Sequence, residues 1–408
     1  MQKQGQNIDN CSTEQKAILS ALAAELFQKP LELPETVNWD DMFAESVNQT
    51  VFPLAFYAVR DHIPENIKNR WEPRFLQAIA SNIRVTAAHS ELHKILSEVA
   101  VPYVILKGCA SSTFYPRPEL RTMGDVDFLV DHPDLERCTS LLEKHGIRRI
   151  DDGTHDCHRT FSANRIEYEL HWAITGIPAV GGEKIRAYFR DLITDAAFYQ
   201  YADSGCRVPS DFHHGLILLL HTASHLTTTG IGLRHLCDWA VFVEKLPEET
   251  FQGGFEKCLK ETGLWELAKI LTMMSARYLG ATPRQWAAGA EDALLDSLMD
   301  DIWRGGNFGE KDPQRKSYSV LMTDGDTHKI EDRGVLEALA IAIHRKAKLY
   351  HPRMAASGIL LPCAWIAVCC RYSWRVLTKK RPWMKLGEDA RTARQRKELF
   401  SRLKLFEE

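Results

Sequence analysis

Apolar positions recur at helical spacing through the first hundred residues. Ser12 and Gln15 frame a capping box ahead of Ala17, Ile18, Leu19, Leu22 and Leu26. A longer helix is expected from Glu65 to Val99, on the spacing of Phe75, Ala78, Ile79, Ile83, Val85, Leu92, Ile95 and Leu96. The pattern then changes. Val101 to Leu106 (VPYVIL) reads as a short buried strand that Lys107-Gly108 closes, with a helix opening at Cys109 and running to Phe114. Asp125 to Val130 (DVDFLV) reads as a second strand, and Pro133 to His145 as a helix carried by Leu135, Cys138, Leu141 and Leu142. Arg165 to Trp172 (RIEYELHW) alternates between apolar and polar, which predicts a third strand. Strand, helix, strand, helix, strand in that order argues for an α/β unit from about residue 100 to 204.

Helical patterning returns after Pro209. Two helices are expected, Asp211 to Leu226 and Leu233 to Leu246, separated by a Thr/Gly turn. The organisation read from the pattern is therefore a helical region over 1–99, the α/β core over 100–204, a helical region over 205–304, a polar Gly-containing linker over 305–334, and a C-terminal helical region over 335–408. The fold class is α+β, and neither repeats nor low-complexity tracts interrupt it. Near the C-terminus, Met354 to Cys370 carries no charge and is followed by Arg371, Arg375, Lys379, Lys380, Arg381 and Lys385, with Trp374 and Trp383 interleaved. The run is short for a membrane span, which needs about twenty apolar residues, and Pro362 breaks it. The favoured reading is a buried helix packing on the core. The alternative is weak peripheral contact of Arg371 to Lys385 with anionic lipid or a polyanionic acceptor.

Composition narrows the function classes. The chain has 408 residues and a net charge of -3. It has no global basic field, so nucleic acid is not indicated as a partner, though it stays open as an acceptor. The polar N-terminus lacks a secretory pattern, and the ten cysteines include no C-x-x-C pair. A reduced, cytoplasmic protein is expected.

Candidate chemistry centres on Asp125 and Asp127. Side chains at i and i+2 of a strand share a face, so the two carboxylates project together as hard oxygen donors. A lone D-x-D also occurs on solvated turns. Glu167 and Glu169 add two acids on the polar face of RIEYELHW, beside His171. A two-metal site needs an acid from a neighbouring strand. Glu169 is the chosen one and Glu167 the runner-up. At the end of the first strand, Lys107, Gly108 and Ser111 form a turn whose backbone N–H groups could cradle a triphosphate, with Lys107 and Arg121 as nearby cations.

These motifs in combination resemble the uncharacterised bacterial nucleotidyltransferase family of the DNA-polymerase-beta-like superfamily. The residues that carry the resemblance are Leu106-Lys107-Gly108, Tyr115-Pro116, Arg121 to Val130 and Glu169-Leu170-His171-Trp172. It continues to His221, His225 and Leu233 to Trp239. The resemblance implies a minimal nucleotidyltransferase fold, a small mixed sheet with flanking helices. It also implies two magnesium ions held by Asp125, Asp127 and Glu169. The implied activity is transfer of a nucleoside monophosphate from a nucleoside triphosphate, ATP by default, to an acceptor hydroxyl with release of pyrophosphate. The superfamily's glycine-serine turn is Lys107-Gly108-Cys109 here. Two alternatives stand beside this reading: a catalytically inactive nucleotide sensor or partner-binding protein, and a toxin-like enzyme acting on transfer RNA or protein.

Other candidates rank lower. His221 and His225 share a helix face but lack the glutamate of a zinc-hydrolase motif. Arg234 and Asp238 share a face of the next helix and read as an interhelical polar cluster or as nucleotide or acceptor contacts. His155, Cys157 and His158 lie among Asp151, Asp152 and Asp156 in an expected surface loop without a closed tetrahedral pattern. His213 and His214 read as a surface pair at a helix start.

Overall fold

A computed structural model of the chain describes residues 11–151, 157–201, 204–289, 291–315, 318, 321–322, 334–378, 383 and 385–407. It begins with α1 (Thr13–Phe27), capped as the sequence predicts: the Ser12 hydroxyl accepts from the Gln15 N–H, and the Gln15 side chain accepts from the Ser12 N–H at 2.9 Å. Then come α2 (Trp39–Asn48), α3 (Phe52–Val59) and the long α4 (Glu65–Glu98).

A small mixed sheet follows. Its strands are β1 (Tyr103–Ile105), β2 (Asp125–Val130), β3 (Arg148–Arg149), β4 (His158–Ala163) and β5 (Ile166–His171). Their spatial order is β1-β2-β5-β4-β3. Only β2 and β5 run parallel, and that pairing sets Asp125 opposite Glu167 and Asp127 opposite Glu169. Between the strands lie α5 (Cys109–Ser112) and α6 (Leu135–Lys144). The fold is α+β, as the alternation in the sequence implies.

The two faces of β2 divide the labour. Val126, Phe128 and Val130 are fully buried against Val85, Leu92 and Leu96 of α4. The opposite face carries Asp125, Asp127 and Leu129, and Leu129 packs with Leu192, Ile193 and Ile217. Ile217 belongs to α8 (Asp211–Thr227), which follows the short α7 (Glu183–Ala187) and the hairpin of β6 (Ala197–Tyr201) and β7 (Ser204–Val208). The acids thus open towards the layer formed by α8 and α9 (Leu233–Lys245).

Helices α10 (Trp265–Leu279) and α11 (Asp292–Gly305) complete that layer. Leu19 and Phe52 share one apolar cluster with Trp239, Leu271 and Ile302, so the N-terminal helices pack on the later helical region. Gln49 pins the two together. It donates to the Ile302 carbonyl at 3.2 Å and accepts from the Leu233 N–H at 3.1 Å.

Three expectations need correction. Sequence periodicity missed β3, β4 and the β6–β7 hairpin, because β3, β4 and β7 carry few apolar residues and those of β6 do not alternate; Cys157 and His158 therefore sit at the start of a sheet strand, while Asp152, His155 and Asp156 lie outside the described residues. The expected linker is built into the helical layer as far as it is described. Gly305, Gly309 and Arg315 are buried, and Arg315 pairs with Asp301. The glycines leave room there, since a Cβ at Gly305 would collide with the Arg315 guanidinium.

The third correction concerns the apolar C-terminal run, expected as buried core. Pro352 separates it from α12 (Val335–Tyr350), Gly358 interrupts it, and its second half enters α13 (Leu361–Leu377). Only Ala364 and Val368 of α13 are buried, in a small cluster with Ala347 that is separate from the main core. The last helix, α14 (Leu386–Ser401), returns to the main core through Ala393 and Phe400. Among the described residues no helix is long and apolar enough to cross a membrane.

Candidate active site

Geometry at the site begins with the turn after β1. Gly108 has φ +59° and ψ −110°, a conformation L side chains avoid, and a Cβ there would press on the His89 ring. The turn brings Lys107 back over β2, where its Nζ lies 3.0 Å from Asp127 Oδ2. Ser111, on α5, is buried, and its hydroxyl has no hydrogen-bond partner among the described residues.

Parallel pairing of β2 with β5 assembles the acids. Donor atoms of Asp127, Glu169 and His171 all lie within 4.8 Å of one another. The His171 Nε2 is 3.3 Å from Asp127 Oδ1 and 3.2 Å from Glu169 Oε2. Both neighbours are acceptors, so Nε2 carries the proton and donates to them. Asp127 is 2% exposed, whereas the Glu169 side chain is 24% exposed at the open edge. Glu167 is exposed and stands outside this group of donor atoms. Asp125 is half-buried on the same face of β2, two residues before Asp127.

Electrostatics follow from this crowding. The Asp127 charge and then burial push the Asp125 carboxyl up to about 6. Burial works against the Asp127 carboxylate, but Lys107 and the His171 hydrogen bond overcome it and hold its pKa well below the ordinary value. Burial likewise opposes charge on His171, yet its hydrogen bond to Asp127, the nearby Cys157 and the hydrogen bond to Glu169 raise it to about 10. Lys107 stays raised despite burial because Asp127 and Asp125 adjoin it. The cluster is a set of three carboxylates held by two cations.

Across from the acids, α8 and α9 supply a second wall. Arg121 is 5% exposed, and its guanidinium forks onto Asp238 of α9, Nε to Oδ1 at 2.7 Å and Nη2 to Oδ2 at 2.8 Å. The Tyr115 hydroxyl donates to the same carboxylate at 2.7 Å, and Arg121 Nη1 donates to the Gly108 carbonyl at 3.2 Å. The charge of Arg121 is thus already matched, and its place in the fold is to tie the Gly108 turn to α9.

Arg234 is different. Its Nε has no hydrogen-bond partner among the described residues, and its guanidinium lies 5.6 Å from the Phe308 ring centre. Burial and the neighbouring Arg121 lower its pKa, and it is near enough to Asp125 for each charge to act on the other. The rings of His221, His225 and His235 gather beside it, with centroids 4.4 Å apart for His221 and His225 and 5.3 Å for His221 and His235. Burial lowers the pKa of all three, so they are neutral. Sequence spacing exposed the shared face of His221 and His225, but only folding brings His235, Arg234 and the Lys107 charge to it.

The remaining candidates fall elsewhere. Cys157 Sγ lies 3.6 Å from His158 Nδ1, and with His171 these two form a second group of close donor atoms behind the acids. Asp151 binds Arg149 and accepts from the Thr160 N–H, closing the edge of the sheet. His213 and His214 are buried, against the expectation of a surface pair, because α8 turns them inward. His214 stacks on Phe114 at 5.0 Å.

The mixed sheet thus sets Asp125 and Asp127 beside Glu169 on adjacent parallel strands, facing α8 and α9. A family model described as an uncharacterised nucleotidyltransferase matches residues 35–280, and the chain belongs to that family. Among solved structures it is similar to an antigenic nucleotidyltransferase-like protein from Paracoccidioides brasiliensis, with 15% identity, a TM-score of 0.34, and coverage of 52% of this chain and 99% of that one. Among curated proteins none matches the chain.

Proposed function

We propose that the chain transfers a nucleoside monophosphate from a nucleoside triphosphate to an acceptor hydroxyl, releasing pyrophosphate. The observation that carries this reading is the convergence of Asp127, Glu169 and His171 donor atoms within 4.8 Å, with Asp125 on the same strand face. The donor set is rich in carboxylate oxygen, which fits magnesium, and Asp125, Asp127 and Glu169 are the residues that would hold two such ions. When bound, the metal supplies charge neutralisation of the phosphoryl oxygens and activation of the attacking oxygen.

The chain's own residues do the rest. His171 fixes the Asp127 and Glu169 carboxylates through its shared N–H. Glu169, the more exposed of the two, is placed to take the proton of the acceptor hydroxyl. Lys107 and Arg234 are the cations available to the triphosphate, and the Gly108 turn lets the backbone approach it. Arg121 acts as a positioning residue, because Asp238 holds it and it holds the Gly108 carbonyl. ATP is the default donor, and the acceptor is any hydroxyl that reaches Glu169.

The test is incubation of purified protein with each labelled nucleoside triphosphate, magnesium and a cell lysate, followed by detection of labelled acceptor. Label that appears with the parent protein and vanishes in Asp127→Ala supports transfer. Magnesium-dependent nucleotide binding without any label on an acceptor would favour a sensing role for the same pocket.

A further inference from the structure

Charge is distributed very unevenly along this chain. Residues 338–387 contain ten of the 51 Lys and Arg and none of the 54 Asp and Glu. The other 358 residues therefore carry 41 basic against 54 acidic side chains. A fifty-residue segment of net +10 sits in a chain whose remainder is net -13, so the overall value of -3 conceals a strongly cationic segment.

The same segment carries an uncovered apolar stripe. At 100° per residue, Cys363, Ile366, Cys370, Trp374 and Leu377 of α13 fall within an arc of about 80°. All are exposed, with Ile366 at 62%, Trp374 at 67% and Leu377 at 78%. Ala364 and Val368, which pack on α12, lie on the other side of the helix. Ile359, just before α13, is 89% exposed, and Trp383 beyond it 65%. Arg371 borders the stripe on one side and lies over the Tyr350 ring at 4.4 Å, whereas Arg375 projects on the Ala364 and Val368 side.

We propose that the outer face of α13 docks on the anionic lipid surface of a membrane, lying in its plane without crossing it. An apolar stripe alone would fit another protein, and a basic segment alone would fit a nucleic acid. The combination of exposed Ile and Leu, two exposed tryptophans and a fifty-residue stretch free of acids fits a bilayer interface: apolar side chains enter the headgroup boundary, tryptophans lie at its depth, and arginines meet lipid phosphates. The proposal is independent of the reaction assigned to the acid cluster.

The test uses the full chain and vesicles of phosphatidylcholine, alone or mixed with phosphatidylglycerol. Co-sedimentation is expected with the anionic vesicles, weakening as salt rises. Arg371→Ala should weaken binding about fivefold, the equivalent of about 1 kcal/mol for a basic residue near the surface, and Arg375→Ala, on the far side of the helix, by less. Ile366→Asp with Leu377→Asp should abolish it. Both positions are exposed, so folding should be unaffected, and an unchanged circular dichroism spectrum and melting temperature check this. Three results would overturn the proposal: no sedimentation with anionic vesicles at low salt; binding that ignores the Ile366 and Leu377 changes, which indicates a polyanion such as RNA; or a dimer in light scattering that those changes dissociate while vesicles are not bound, which makes the face a contact between copies.

Discussion

Lys107 Nζ lies 3.0 Å from Asp127 Oδ2, so a cation from the β1 turn is already seated on the innermost carboxylate of the site. A residue in that position competes with a bound metal and assists a bound phosphate. Lys107→Ala should therefore weaken nucleoside triphosphate binding by about tenfold while leaving the affinity for magnesium alone equal or higher. Calorimetry with each ligand separates the two effects. Loss of magnesium affinity in this variant would mean that the lysine organises the acids instead of competing for them.

Removing an acid should stop transfer without unfolding the chain. Asp125→Ala, Asp127→Ala and Glu169→Gln are each expected to lower the rate by at least about a thousandfold, corresponding to several kcal/mol of transition-state stabilisation. Glu167→Gln, at an exposed position outside the cluster, should change it by less than about threefold. If Glu167→Gln is the silent variant and Glu169→Gln the dead one, the third acid is settled. The reverse outcome would move the site two residues along β5, to the position opposite Asp125.

Arg234 is a cation whose Nε is buried without a partner. In Arg234→Ala, nucleotide affinity should fall by about tenfold to a hundredfold. Thermal stability should stay level or rise, because a buried N–H without a hydrogen-bond partner has been removed. A large drop in melting temperature with unchanged nucleotide affinity would assign Arg234 to packing.

Asp238 shows the opposite balance. It holds Arg121 and Tyr115 in a buried network, and Asp238→Ala strands the Arg121 charge. Urea denaturation should report a loss of about 3 to 5 kcal/mol. Arg121→Met with Asp238→Leu, which removes both charges, should recover much of that loss.

Stability should fall on mild acidification, and His214 accounts for part of this. Burial lowers its pKa from 6.5 to about 3, and both ring nitrogens lack partners. Between these two values the unfolded chain binds a proton that the folded chain refuses. The contribution of His214 is therefore fully present above pH 6.5 and is lost as pH falls towards 3. His214→Phe suits the stack on Phe114 and should lose about 2 kcal/mol less than the parent between about pH 7 and pH 5. An identical pH dependence in the two proteins would show that His214 protonates freely in the fold.

Short apolar runs were enough to place β1 and β2, and alternation to place β5, because each buries apolar side chains in the cluster that includes Val85, Leu92 and Leu96 of α4. Neither could place β3 or β4. Arg148 and Arg149 are exposed at a sheet edge, where pairing through the backbone alone holds them. The shared face of Asp125 and Asp127 follows from period two, and the acid–Leu–His–Trp pattern marked Glu169. What spacing could not show is register. Asp127 meets Glu169 only because β2 and β5 run parallel, 42 residues apart. Arg121 and Asp238 are 117 residues apart, so their pairing was invisible, and Arg121 looked like a free cation. The apolar run before Arg371 misled for a different reason: hydrophobicity reports what prefers to leave water, and does not say whether protein or something else receives it.

Gln49 joins α2 to Ile302, which lies 253 residues later in the chain. On a ribosome adding roughly 5 to 20 residues per second, that partner arrives about 10 to 50 s after Gln49 has been made. Leu19, Phe43 and Phe52 spend that interval without the helices that will cover them. The nascent chain is therefore a substrate for holding chaperones well before it is a candidate enzyme, and a truncation anywhere before α11 would leave the same surface open for good.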